Sequence, residues 1–153
     1  MRLLLGLLAP LFAPPLVAGT TICAVRYADG VVIGADSRST GGGVVVGRDT
    51  AKVRRVAPAA ALAGAGVSAE CARVARSLGQ ETALQRLRDE LGGETSQLSA
   101  AFLVRSLRRL VQRLTDGNSV FLLGAVSGGE PALFLVHGSG AEEAVSLGAF
   151  GSG

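Results

Sequence analysis

Tryptophan is absent from the 153 residues, tyrosine occurs once and phenylalanine five times. The core must therefore come from Ala, Val and Leu, and packing such small side chains to interior density requires close backbone approach. Acids and bases alternate along the chain. Although the formal charge is +3, there is no basic run to track a phosphate backbone, so nucleic-acid binding gains no support. No apolar run is long enough to span a bilayer as a helix, because the most apolar stretch, at the start, is broken by Pro10, Pro14 and Pro15. The two cysteines, Cys23 and Cys71, have no metal-ligand spacing, and free thiols in a reducing compartment account for them at least as well as a disulfide. Lysine is scarce too. Fourteen of the fifteen basic residues are arginine and one is Lys52. A guanidinium keeps its proton in a protein whereas an ammonium can release it, which singles Lys52 out.

The length suits one domain with a real core, and a hydrophobic content of 48% argues against disorder. Residues 1–19, "MRLLLGLLAPLFAPPLVAG", combine Arg2, an apolar run and small residues at the end. They fit a secretory signal peptide, and they fit equally a propeptide that keeps Thr20 blocked until cleavage after Gly19. Both readings give the same new N-terminus.

Beyond the leader, β-branched runs at 20–27 and 30–35 are joined by "ADG", a hairpin signal. "VVV" follows a glycine turn, and strands are expected at 52–56 and 60–65 around "AP". Ser68 stands where a helix N-cap belongs, with a helical pattern running to about Leu91, where Gly92 and Gly93 stop it. A second helix, opened by Thr95 or Ser96, places Leu103, Leu107, Leu110, Val111 and Leu114 on one face. Arg105, Arg108, Arg109 and Arg113 fall largely on the other, as a solvated face or a subunit contact. Further strands are expected at 120–126, 132–136 and 143–150. Strands, then helices, then strands, without βαβ alternation, argue for an α+β layered domain. The end, "GSG", falls on a turn just after a strand, so the chain looks interrupted.

The stretch "TTICAVRYADGVVIGADSRST", then "AKV", then "AGAG" before a helix, then the terminal "GSG", together resemble the β-type subunits of the 20S proteasome, which are N-terminal nucleophile hydrolases. The resemblance runs over residues 19–153 in register. It implies an α+β fold, the four-layer αββα sandwich, with the C-terminal part missing here. It implies residues 1–19 as a propeptide and 20–153 as the hydrolase domain, incomplete at its C-terminus. The implied activity is that of a threonine endopeptidase, with Gly19–Thr20 as the processing site. The implied setting is a cytoplasmic and nuclear particle of stacked heptameric rings of α and β subunits acting on unfolded polypeptides. Cofactor, metal, nucleic acid and membrane are not implied.

The chemistry suits the residues. A threonine hydroxyl needs a base, and a freed N-terminal amine, with an ordinary pKa of about 7.7–8.0, supplies one on the same residue. Asp36 and Lys52, sixteen and thirty-two residues after Thr20, match the family's acid and lysine: the ammonium favours an alkoxide-like oxygen and the carboxylate holds it charged. Read without the resemblance, Asp36 is as easily a turn carboxylate and Lys52 an edge-strand charge. The N–H of Gly66 is the implied oxyanion donor. Ser152 matches the serine that packs against the terminal threonine. Ser39, Thr40, Gly64 and Ser68 are the implied substrate contacts, with the peptide added as an extended strand. Gly138-Ser139-Gly140 reads as a hairpin turn, and a Ser139–His137 dyad would need adjacent turn residues to align. Glycine at 64 leaves a deep specificity pocket, as in trypsin-like subunits, although Ala72 stands where an acid is often found and "GADSR" looks more like caspase-like subunits. The competing reading is a non-catalytic or degenerate structural subunit or fragment, and the chain as written is not expected to be a stable active monomer.

Overall fold

The computed structural model describes residues 19–41, 44–93 and 98–151. The expected leader, residues 94–97 and Ser152 lie outside them, apart from Gly19. The elements run in the order β1 (Thr21–Tyr27), β2 (Gly30–Ala35), β3 (Ser39–Gly41), β4 (Val44–Gly47), β5 (Val53–Ala57), β6 (Ala60–Ala65), α1 (Ser68–Leu91), α2 (Ala100–Leu114), β7 (Val120–Ser127), β8 (Glu130–His137), β9 (Glu142–Ala144) and β10 (Leu147–Gly151). They build a three-stranded sheet ordered β10-β1-β2, a two-stranded ribbon β3-β4 and a five-stranded sheet ordered β5-β6-β7-β8-β9. Every pairing is antiparallel. This is the α+β sandwich of the N-terminal nucleophile hydrolases, with two sheets facing each other and the helices laid over one.

Two hydrophobic layers hold it. Between the sheets lie Ile22 and Ala24 of β1, Ala63 of β6, Leu122 of β7, and Leu133 and Leu135 of β8. On the other side of the large sheet, Leu62, Phe121, Leu123 and Val136 meet Val74 and Leu78 of α1 and Leu103, Leu107 and Val111 of α2. The period-2 alternation of the strands sorts the residues: on β7, Phe121 and Leu123 face the helices while Leu122 faces the small sheet. The shortage of aromatics shows in the spacing. A Cβ added at Gly124 would lie 2.7 Å from Val31 and 2.9 Å from Ile33 of the opposing sheet, so the side chains of the small sheet pack directly on the β7 backbone where no larger residue fits.

The helices start differently from expectation. Ser68 is the first helical residue of α1 and not its cap: Val67 occupies that position in extended conformation, with no side-chain cap. Helix α2 is opened by Ser99, later than the expected Thr95 or Ser96, and the Ser99 hydroxyl accepts the Phe102 N–H at 3.1 Å. The amphipathic face of α2 is as expected, with Leu103, Leu107, Leu110 and Val111 buried. Its arginines bind neighbouring elements: Arg109 reaches Glu81 of α1 at 2.7 Å, and Arg108 reaches the Gly140 carbonyl at 2.9 Å. Thr82, buried among apolar residues, sets its hydroxyl 2.5 Å from the Val56 carbonyl and so ties α1 to β5.

The single strand expected at 143–150 is two. β9 pairs with β8 in the large sheet and β10 pairs with β1 in the small one. Between them the Val145 N–H still bonds Leu133 of the large sheet while Ser146 already accepts from Arg26 of the small one, so the chain changes sheets there. Among the described residues no helix covers the outer face of β10-β1-β2, where Val25, Tyr27, Val32 and Leu147 are exposed.

Leu107 is fully buried between α2 and the large sheet. Leu107→Ala is expected to lower the stability of the chain by about 2–5 kcal/mol, seen as a lower urea midpoint with an unchanged slope.

Candidate active site

Three strand ends meet at one point. Thr20 is the last residue before β1, Asp36 the first after β2 and Lys52 the last before β5. In the β1–β2 hairpin Ile22 pairs with Ala35, so Asp36 falls opposite Thr21. The Asp36 N–H donates to the Thr21 carbonyl at 3.0 Å, and the Thr21 N–H donates to Asp36 Oδ1 at 2.7 Å. The sixteen-residue spacing is thus the length of one hairpin.

Lys52 completes the cluster. Its Nζ lies 2.9 Å from each Asp36 carboxylate oxygen and 3.2 Å from Thr20 Oγ1. The two oxygens of one carboxylate lie too close together to take separate N–H bonds, so they share one donor of Lys52 while another points to Thr20 Oγ1. The side chain is 9% exposed against 33% for Asp36, so Lys52 is the more shielded partner and its field on Thr20 is little screened. Partial burial pushes the Asp36 carboxyl up, but the Thr21 N–H, the Lys52 ammonium and the Arg38 N–H outweigh it and hold the group below its ordinary 3.8.

Gly66 sits just beyond β6 with φ +138°. Extending the β6–β7 register, in which Ala65 pairs with Val120, sets Ser119 beside Gly66, and a Cβ at 66 would lie 2.6 Å from the Ser119 hydroxyl. Both the dihedral and the contact demand glycine here. Ser119 was not legible as part of this site, since only the long-range pairing of β6 with β7 brings it there.

A cleft opens between these groups and α1. Its lining includes Thr20, Lys52, Gly64, Gly66 and Ser68, all expected, together with Arg54 and Cys71, which were not singled out as site residues. Ser68, Cys71, Ala72 and Ala75 recur at helical spacing and present one face of α1 to the cleft. Ser39 and Thr40, the other expected substrate contacts, form β3 and are not among the lining residues. Ser152 lies outside the described residues. Glu70 does not line the cleft either: its carboxylate accepts the Asp116 N–H at 3.4 Å. The glycine turn at 138–140 is a hairpin turn, with Gly140 N–H bonded to the His137 carbonyl at 2.8 Å. Burial, reinforced by the Glu70 charge, pushes the Cys71 thiol up to about 11. No group of three or more His, Cys, Asp or Glu placed to hold a metal ion occurs among the described residues.

Chemically, the arrangement offers a hydroxyl held by a cation whose charge is balanced by a carboxylate, facing a glycine turn ahead of a helix, at the mouth of a cleft. Comparison with known proteins gives the family. The family model described as "Proteasome subunit" matches residues 16–153. The chain is similar to proteasome subunit beta type-7-A of Arabidopsis thaliana, 29% identical over 148 residues, covering 97% of this chain and 52% of that protein. It is similar to proteasome subunit beta type-10 of Rattus norvegicus, 32% identical over 136 residues, covering 88% and 48%. With the proteasome subunit beta of Halorubrum lacusprofundi it is 30% identical over 139 residues, covering 84% and 56%. The chain spans about half the length of the curated relatives it matches.

Two outcomes follow from the titrating groups. The folded-state pKa of Asp36 is lowered, so its contribution to stability is present above 3.8, its ordinary value, and is lost as pH falls through the lower folded value. The carboxyl carbon signal of Asp36 should therefore report a group more than half ionised at pH 3.8 in a 13C NMR titration. For Cys71, a shift from 9.0 to about 11 leaves about a hundredfold less thiolate, so iodoacetamide at pH 8 should modify it about a hundredfold more slowly than a free cysteine.

Proposed function

Because the chain belongs to the family of proteasome β-type subunits, we propose that it is a threonine endopeptidase subunit of a proteasome core particle, with Thr20 as its nucleophile. The observation that carries this reading is Lys52, whose Nζ bridges Thr20 Oγ1 and the Asp36 carboxylate at hydrogen-bond distance. A lysine so engaged acts as a fixed positive charge beside the hydroxyl. The base must then come from elsewhere, and cleavage between Gly19 and Thr20 creates it by turning an amide nitrogen into an amine.

In this mechanism Thr20 Oγ1 attacks the substrate carbonyl while its proton passes to the freed α-amine, directly or through one water. The Lys52 charge lowers the cost of developing negative charge on Oγ1. The Gly66 N–H receives the oxyanion on the carbonyl oxygen. Collapse expels the amine half of the peptide, which takes the proton, and leaves an ester on Thr20. Water, activated by the same amine, hydrolyses the ester and returns the hydroxyl. Ser152 is proposed to support Thr20, and Ser39, Thr40, Gly64 and Ser68 to receive the substrate as an added strand. The trypsin-like expectation rests here on the glycine at 64 alone, since the Phe121 ring and the Cys71 sulfur stand 2.9 and 3.0 Å from where a Cβ there would lie. Residues 1–19 are proposed as the propeptide removed on activation, and the particle, cytoplasmic and nuclear, as an assembly with other α and β subunits acting on unfolded chains.

A second reading has its own observation. The outer face of β10-β1-β2 presents Val25, Tyr27, Val32 and Leu147 to solvent, and a subunit that serves only as an interface would need such a face and no nucleophile. Treating the assembled particle with a peptide vinyl sulfone separates the two. The expected result is an adduct on Thr20 as the new N-terminus, lost in Thr20→Ala, together with a fall of at least about a thousandfold in this chain's kcat/KM. A processed particle in which Thr20 stays unmodified would sink the catalytic reading. Gly66→Ala should reduce labelling strongly while leaving the Lys52–Asp36 pair in place.

A further inference from the structure

We infer that Ser119 is a positioning residue: its buried hydroxyl, packed beneath the Gly66 turn, holds in place the N–H that the proposed mechanism gives to the oxyanion. This deepens the reading of Thr20 as a peptidase nucleophile and rests on it for its chemical consequence. The turn needs a support. The pairing of β6 with β7 ends at Ala65, and the four residues that follow, Gly66 to Ala69, are all exposed. Val67, at the start of α1, has no side-chain cap. Gly66 has φ +138°, a region that glycine enters freely and has little intrinsic reason to keep. The direction of the Gly66 N–H is therefore set from the inner side of the turn, because the solvent side offers it no packing.

Ser119 lies on that inner side. On β7 it has the parity of Phe121 and Leu123, which face the helices, so its side chain stands on the face that α1 covers. A Cβ at Gly66 would lie 2.6 Å from the Ser119 hydroxyl oxygen, 2.9 Å from its Cα and 3.0 Å from its Cβ. The residue is a wall against the turn, and the hydroxyl is the part of it that comes nearest. Ser119 is 1% exposed, yet its oxygen makes no hydrogen bond to a described group. It lies near enough to Cys71 to favour the ionised form of that thiol, but the thiol is neutral, a weak acceptor, and the two form no hydrogen bond. A buried hydroxyl without a partner costs stability that alanine would not. Contact with Gly66 gives the oxygen a purpose that offsets this cost, as happens where a site is favoured over stability. The preceding glycine shows the same arrangement with an apolar group, since the Phe121 ring fills the place of a side chain at Gly64. Each glycine at the end of β6 is thus backed by the residue that faces it on β7.

The test compares the assembled particle with its Ser119→Ala and Ser119→Thr variants, using a peptide aldehyde and the matched peptide amide, each bearing a photoreactive group. Crosslinking is quantified on this chain's own peptides by mass spectrometry, so other subunits do not contribute. Thr20 Oγ1 adds to the aldehyde carbon, and its proton passes by way of the freed α-amine to the former carbonyl oxygen. The resulting hemiacetal sets that oxygen at the Gly66 N–H, whereas the amide binds without adding. Wild type should half-saturate with the aldehyde at about a hundredfold lower concentration than with the amide. In Ser119→Ala that ratio should fall about tenfold, less than the 10²–10³ lost when an oxyanion donor is removed outright. Amide binding should be unchanged and the thermal midpoint no lower, a combination that a merely structural serine would not give. Ser119→Thr, which keeps the hydroxyl, should keep most of the ratio. A second readout is independent of Thr20. The Cys71 N–H closes the first turn of α1 on the Val67 carbonyl at 3.0 Å, and in the ligand-free Ser119→Ala particle its hydrogen exchange should be about tenfold faster. Unchanged exchange at Cys71, an undiminished ratio, or amide binding that weakens as much as aldehyde binding would overturn the inference. A wild-type particle that shows no advantage for the aldehyde, with exchange at Cys71 still quickened in Ser119→Ala, would remove the nucleophile reading and leave Ser119 as the support of the turn.

Discussion

The carboxylate of Asp36 is the joint on which the rest is hung. One of its oxygens takes the Thr21 N–H at 2.7 Å and the other the Arg38 N–H at 3.0 Å, while both take Lys52 at 2.9 Å. A single group thereby fixes the start of β1, the exit of β2 and the approach to β5. Those three points belong to two different sheets, so the pair holds the small sheet to the large one at the end where Thr20 lies. Removing one partner would leave the other charge without compensation in a partly shielded place, which costs more than a surface pair contributes.

Packing makes that joint possible. Charges of opposite sign meet at the ends of strands only if the sheets are set at a fixed distance, and that distance is set by Ala24, Ala63 and Leu122 in the interlayer and by the bare backbone of Gly124. A core poor in aromatics is a constraint on the site as well as on the fold. With larger side chains between the sheets, Lys52 on one would stand too far from Asp36 on the other for a direct contact.

The sequence carried the local part of this well and the long-range part unevenly. The β1–β2 and β5–β6 hairpins, the length of α1 and the buried stripe of α2 are each written in a short window of residues, where periodicity and turn chemistry act. Thr20, Asp36, Lys52 and Gly66 were legible through resemblance, since nothing in their local patterns distinguishes Asp36 from a turn carboxylate. The division of 143–150 into β9 and β10 was not legible. It depends on which strand offers a free edge at Leu133 and which at Arg26, a property of the assembled sheets. Ser119 was missed for the same reason, because it enters the site through the pairing of β7 with a distant strand.

Two cations line the cleft, and their surroundings divide the work between them. Lys52 is 9% exposed and its Nζ stands 3.2 Å from Thr20 Oγ1, so its charge acts at short range with little screening. Arg54 lines the same cleft but is exposed, and water screens a charge so placed. Gly64 adds no room of its own, because a Cβ there would lie 2.9 Å from the Phe121 ring and 3.0 Å from the Cys71 sulfur. The Cys71 thiol, its pKa raised by burial, is held neutral and contributes no opposing charge. The field at the Thr20 hydroxyl therefore follows the shielded lysine and the carboxylate that holds it, and the same packing that leaves so little space in the cleft keeps water from weakening that field.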